Sequence, residues 1–161
     1  MISAPRGLRL HVGFFGRRNV GKSSLLNALT RQDVSIVSPT PGTTTDPVEK
    51  PMELLPLGPV LFIDTAGVDD EGALGELRIT KTRKVLERTD LALLVAEANG
   101  WGSFEEALLA EIAERSIPVV VVLNKCDVAP PPPALLARLA SVETDHGRAR
   151  VRRPGAGLCR R

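Results

Sequence analysis

The 161-residue chain has no tyrosine, one tryptophan, four phenylalanines, two histidines and two cysteines. Cys126 and Cys159 lie far apart, neither in a C-x-x-C pair nor beside a histidine. That pattern supports neither a metal framework nor a disulfide framework, and no iron–sulfur cluster is expected. No apolar run approaches the roughly 18 to 20 residues of a membrane span, so no membrane partner is expected. The opening MISAPRGLRLHVGFFG interrupts its short apolar stretch with Arg9 and His11 and runs straight into a glycine loop. It does not read as a secretion signal, and a cytoplasmic location is the expectation.

An excess of one charge is also missing. There are 21 Lys plus Arg against 19 Asp plus Glu, but residues 147–161 hold six arginines and no acid, so residues 1–146 carry a net of −4. The basicity is confined to the tail. With 43% apolar and 25% charged residues the composition is that of an ordinary folded domain, and the length suits one.

Apolar patterning alternates between strand and helix. Leu8 to Phe15 (LRLHVGFF) reads as a buried strand ended by Gly16, and Lys22 to Thr30 as a helix with Leu25, Leu26 and Leu29 on one face. Arg31 to Lys50, rich in Thr, Pro, Ser and Asp, reads as a long mobile loop. Met52 to Leu57 and Pro59 to Ile63 read as strands joined at Gly58. A second flexible segment, Val68 to Gly75, precedes an amphipathic helix from Glu76 to Arg88 with Leu77, Ile79 and Val85 as its apolar contacts. Asp90 to Ala96 reads as a strand, Ser103 to Arg115 as a helix capped by Ser103 with Glu106 closing a capping box, and Ile117 to Leu123 as a buried strand. Ala134 to Ala140 can form two helical turns after the proline run 129–133, and residues 141–161 show no apolar periodicity. The expectation is an α/β, three-layer domain with a mostly parallel sheet over residues 8–140 and a basic, disordered tail over 141–161.

The motifs fall at strand ends, where such sheets bind ligands. Gly16-Arg17-Arg18-Asn19-Val20-Gly21-Lys22-Ser23 fits G-x-x-x-x-G-K-S/T between a strand and a helix. Glycines let the backbone N–H groups wrap phosphate oxygens at a helix N-terminus. Lys22 would reach the terminal phosphates and Ser23 would hold Mg²⁺, with Ser24 beside it in the first helical turn. Asn124-Lys125-Cys126-Asp127 follows the last apolar strand. There the Asp127 carboxylate can accept from guanine N1–H and the exocyclic amine, whereas adenine has no donor at N1 and leaves the carboxylate unpaired. Asn124 would donate to the base's acceptor edge, and Lys125 would lie across loop and base. In Asp64-Thr65-Ala66-Gly67, Asp64 can hold Mg²⁺ through water while the Gly67 N–H faces the γ-phosphate. Pro41-Gly42-Thr43-Thr44-Thr45-Asp46 can bring a threonine hydroxyl to Mg²⁺, with the register among the three threonines open.

These four motifs, in their order along residues 8–127, resemble P-loop GTPases of the Era, Der and MnmE branch, whose switch loop reads P-G-T-T-x-D. RLHVGFFGRRNVGKSSLLNAL, PGTTTDPVEK and DTAGVDDEG look most like the GTPase domain of the HydF family of FeFe-hydrogenase maturation factors. The resemblance implies GTP and GDP as ligands, and Thr44 as the Mg²⁺ ligand with Thr45 as the alternative. It also implies K⁺ at Asn19 standing in for an arginine finger, so that Lys22, Asn19, Thr44 and Gly67 carry slow hydrolysis. Val68 stands where other GTPases place a water-orienting glutamine. Hydrogenase maturation proteins, or a second copy of the chain, would be the partners. Nucleic acid is not the expected partner. The alternatives are a non-catalytic, nucleotide-dependent binding module and an RNA-associated GTPase using the arginine tail. The resemblance ends after residue 127: the further strand, S-A loop and closing helix of a G domain are not legible, as in a truncated or frameshifted chain. His11 and His146 have no partner visible in the sequence, Trp101 reads as a loop contact, and Arg17 and Arg18 read equally as surface charge.

Overall fold

The computed structural model describes residues 9–17, 19–30, 48–54, 56–65, 82–144, 147–148 and 150–152. In chain order these form β1 (Leu10–Phe15), α1 (Lys22–Thr30), β2 (Val48–Leu54), β3 (Gly58–Asp64), a helical stretch over residues 82–87 (α2), β4 (Leu91–Glu97), α3 (Ser103–Glu114), β5 (Val119–Asn124), α4 (Pro133–Ala140), β6 (Glu143–Thr144), β7 (Gly147–Arg148) and β8 (Arg150–Arg152).

Six strands make one sheet in the order β2-β3-β1-β4-β5-β8, parallel throughout except for β2, which runs antiparallel to β3. β6 and β7 form a separate two-stranded pair. The central strands are apolar at nearly every position, and successive residues feed opposite faces. Phe15, Leu61 and Ile63 join Val85, Leu86, Leu109, Ile112 and Leu139 under α2, α3 and α4. Their neighbours Phe14, Val60 and Phe62 pack with Leu26 of α1 on the other side. There Phe14 and Phe62 meet edge to face, with centroids 5.5 Å apart, a geometry that contributes about 0.5–1.5 kcal/mol beyond burial.

α1 has the bounds expected from sequence, and β1, β3, β4, α3, β5 and α4 fall within one or two residues of theirs at most ends. The expected loop 31–50 stops earlier, because Val48, Glu49 and Lys50 already pair with Asp64, Ile63 and Phe62. β2 is an edge strand that packs Met52 and Leu54 against the core from alternate positions, and an edge position tolerates Pro51. The α3 cap also shifts. Gly102, not Ser103, holds the cap position, and its N–H donates to Glu105 Oε2 at 2.9 Å. Glu106 instead accepts from Trp101 Nε1 at 2.8 Å and from Arg138 at 2.9 Å, tying α3 to α4. Of the helix expected over 76–88, residues 82–87 are helical, and the rest of its first half lies outside the described residues.

Regular structure does not stop at residue 140. Val120, Val121 and Val122 of β5 pair in parallel with Arg150, Val151 and Arg152. An apolar sheet edge presents unpaired backbone groups, and a strand can satisfy them without apolar periodicity of its own. The expectation of a wholly unstructured tail is thereby corrected at β6, β7 and β8. Residues 153–161, Cys159 and His146 lie outside the described residues.

Candidate nucleotide-binding site

Because β1, β3, β4 and β5 are parallel, their C-terminal ends share one edge of the sheet, which carries Gly16, Asp64, Glu97 and Asn124. β1 lies between β3 and β4, so the chain departs to opposite sides of it, and the crevice at such a reversal is where open α/β sheets bind ligands.

The described residues of the loop from Gly16 to Gly21 are held by other elements. Gly16 has φ 145°, and a Cβ there would lie 2.1 Å from the Val95 carbonyl oxygen, so the loop leaves β1 pressed against β4. Arg17 Nε and Nη2 reach Glu105 of α3 at 2.8 and 3.3 Å. Asn19, in the left-handed region at φ 61°, turns its carbonyl to Lys125 Nζ at 2.8 Å. The Val20 carbonyl accepts from Asn124 Nδ2 at 2.9 Å. Gly21 has φ 100°, and a Cβ there would lie 2.2 Å from that same Nδ2. Lys22 is buried, and its Nζ donates to the carbonyls of Gly16 and, at 2.9 Å, of Arg17. The ammonium therefore sits inside the ring of the loop.

α1 starts at this loop, with Leu25 N–H donating to the Gly21 carbonyl at 2.9 Å. Its first turn holds no acidic residue, whereas α3 carries Glu105 and Glu106 in its first turn. A helix N-terminus kept free of carboxylates retains its positive end for an external anion. Ser23 and Ser24 are exposed on that turn.

Asp64 ends β3 and is only 7% exposed. A serine hydroxyl and a carboxylate are hard oxygen donors of the kind Mg²⁺ takes together with phosphate oxygens and water. Ser23 and Asp64 therefore fit that ion, and among the described residues no cluster of three His, Cys, Asp or Glu competes as a metal site. Thr43, Thr44, Thr45, Ala66, Gly67 and Arg18, all expected at the site, lie outside the described residues.

Three of the expected site residues make contacts that the sequence did not show. Thr65, expected at the nucleotide, is buried, and its hydroxyl and N–H both donate to the Phe14 carbonyl, at 2.6 and 3.4 Å. It extends the β3–β1 ladder by one residue. Asn124, expected to face the base, also clamps the phosphate loop through Val20. Arg17 is not mere surface charge, since its guanidinium caps a buried carboxylate and lies 5.3 Å from the Phe104 ring centre. Lys125 lies across the loop as expected, with φ 56°, while Cys126 turns its thiol back to the Leu123 carbonyl at 3.1 Å and Asp127 is exposed. His11, left without a partner by the sequence, has Nδ1 2.9 Å from the Arg88 carbonyl, and its N–H donates to Asp90 at 2.8 Å.

Two residues were missed. Glu97, at the end of β4, accepts from Lys125 Nζ at 2.6 Å. Its place at the carboxyl end of a strand was a usable signal. Glu105 falls on the face shared with Leu108, Leu109 and Ile112, an acid in an apolar i, i+3, i+4, i+7 stripe.

A sheet of this order, with a lysine-bearing loop after its central strand, an acid after the next and an N-K-x-D turn after β5, defines the G domain of a P-loop GTPase. The chain belongs to the family described as 50S ribosome-binding GTPase, which matches residues 11–125. It is 42% identical over 129 residues to GTPase Der of Wolinella succinogenes, covering 78% of this chain and 27% of that protein. It is 37% identical over 153 residues to the tRNA modification GTPase MnmE of a Synechococcus species, covering 88% of this chain and 33% of that one. Among solved structures, an Era variant of Aquifex aeolicus bound to GDP and AlF4⁻ superposes with a TM-score of 0.69 at 29% identity, over 89% of this chain and 50% of that one. The chain thus spans between a quarter and a third of the length of these curated relatives.

Proposed function

We propose that this chain binds GTP and GDP with Mg²⁺ and hydrolyses GTP slowly. The observation that carries the reading is the Asn124–Val20 hydrogen bond, which joins the base-selecting turn to the phosphate loop. One rigid ligand that carries both a base and phosphates would span the two.

In this reading the loop N–H groups and the α1 N-terminus receive the phosphates, and Lys22 moves its ammonium from loop carbonyls to the terminal phosphate oxygens. Asp127, exposed at the turn, accepts from the guanine N1–H and amine. Mg²⁺ held by Ser23, and by Asp64 through water, would neutralise charge on the terminal phosphates. Val68 cannot orient a water, so turnover is slow without help. K⁺ beside Asn19 is the help that the resemblance to the Era, Der and MnmE branch suggests.

The test is displacement of fluorescent GDP, in Mg²⁺ and K⁺, by unlabelled GDP and separately by ADP. Displacement by GDP alone supports the reading. Equal displacement by ADP, or no binding, overturns it.

For the partner, the names of the family and of MnmE, ribosome-binding and tRNA modification, favour RNA. Retention on RNA that falls with salt and with deletion of residues 147–161 would support this. The hydrogenase-maturation reading rests on PGTTTDPVEK and DTAGVDDEG, and nucleotide-dependent capture of a hydrogenase maturation protein would decide for it.

A further inference from the structure

We propose that Glu105 is a positioning residue for the phosphate loop, acting through Arg17. The inference rests on the GTP-binding reading and deepens it. Glu105 is 1% exposed, and its carboxylate receives three donors: Arg17 Nε at 2.8 Å, Arg17 Nη2 at 3.3 Å and the Gly102 N–H at 2.9 Å. Burying the Glu105 carboxylate costs desolvation that the half-exposed Arg17 only partly offsets, and an apolar residue in the α3 stripe would pack at least as well. What the pair does supply is geometry. A two-pronged guanidinium–carboxylate contact fixes orientation as well as distance.

The orientation matters because of what the Arg17 backbone does. Its carbonyl is one of the two that accept from Lys22 Nζ, and it follows directly on Gly16, whose backbone is pinned against Val95. Fixing the Arg17 side chain on α3 fixes the backbone at the end of β1, where the Gly16 and Arg17 carbonyls hold Lys22. The loop then meets phosphate already shaped, so less conformational freedom is lost on binding. Glu105 thereby slows nucleotide release without touching the nucleotide. Trp101, the chain's sole tryptophan, adjoins Gly102 and reports on this corner.

The experiment measures fluorescent-GDP dissociation and the change in Trp101 emission on GDP binding, for the full chain and for Glu105→Gln, Arg17→Ala, Arg17→Lys and the Glu105→Gln/Arg17→Ala pair. Glu105→Gln and Arg17→Ala should each speed GDP release about tenfold, and the double variant should release no faster than either single one. Arg17→Lys should restore part of the loss. Preference for GDP over ADP should stay intact, because the Asn124–Asp127 turn is untouched. GDP release at the wild-type rate in variants with only a lowered melting temperature would make the pair purely structural and overturn the proposal. So would additive effects in the double variant. Should Glu105→Gln fail to fold, Arg17→Ala, at a half-exposed residue, decides alone. A wild-type chain that binds no guanine nucleotide overturns the underlying reading and this proposal with it, an outcome visible before any variant is compared.

Discussion

Asn124 Nδ2 donates to the carbonyl oxygen of Val20 at 2.9 Å, joining two turns 104 residues apart in sequence. The contact is buried, so its removal leaves a carbonyl without this partner in a place that water reaches poorly. Asn124→Ala should lower folding stability by about 1–3 kcal/mol. It should also weaken GDP by about tenfold or more, because the loop and the base turn lose their common tie. Urea unfolding and a fluorescent-GDP titration measure the two effects, and unchanged GDP affinity would refute the coupling.

Gly16 and Gly21 should fail in different ways when replaced by alanine. At Gly16 the added methyl meets backbone, the Val95 carbonyl, at φ 145°. Strain and overpacking each contribute about 1–3 kcal/mol of destabilisation. At Gly21, strained as well at φ 100°, the methyl meets the buried Asn124 amide, which must give up its bond to Val20 to make room. Gly16→Ala should therefore show chiefly a lowered urea midpoint, and Gly21→Ala a loss of GDP affinity like that of Asn124→Ala.

Glu97 and Lys125 form a 2.6 Å pair whose side chains are 34% and 40% exposed, so solvent screens it. Glu97→Gln should change stability by less than about 1 kcal/mol. GDP release should nonetheless quicken a few-fold, because Lys125 Nζ also holds the Asn19 carbonyl. The difference from wild type should narrow as salt rises. Stopped-flow release at low and high ionic strength checks this.

GTP turnover should be faster in K⁺ than in Na⁺, and Asn19→Ala should abolish the difference while leaving GDP bound. Asn19 is exposed, with a left-handed backbone and a carbonyl that accepts from Lys125. Single-turnover phosphate release in the two salts, with nucleotide saturating, is the measurement. Equal rates would remove K⁺ from the mechanism.

Most of the sheet was legible because its strands are apolar on both faces, and α1 because Leu25, Leu26 and Leu29 repeat at helical spacing after Lys22. The loop and the N-K-x-D turn were legible because their chemistry needs particular residue types at fixed spacing. β2 began four residues before its expected start, since Val48 to Pro51, with two charges and a proline, read as loop but pair with β3. The α3 cap was displaced by one residue because Glu105, not Glu106, turns back to the helix start. Arg150–Arg152 gave no signal, as three residues rich in arginine carry no apolar period, yet they pair with β5. Glu97 and Glu105 escaped notice because an isolated acid is ordinarily solvated, and only tertiary contact shows that each holds a basic residue of the site.

Val48, the first residue of β2, pairs in register with Asp64, the last of β3. The segment that leaves α1 at Thr30 and carries the three threonines in its sequence must therefore rejoin the sheet beside Asp64, whatever route it takes between. It is a tether with a fixed landing point. The chain thus enters β2 one strand spacing from the carboxylate proposed to hold Mg²⁺ through water.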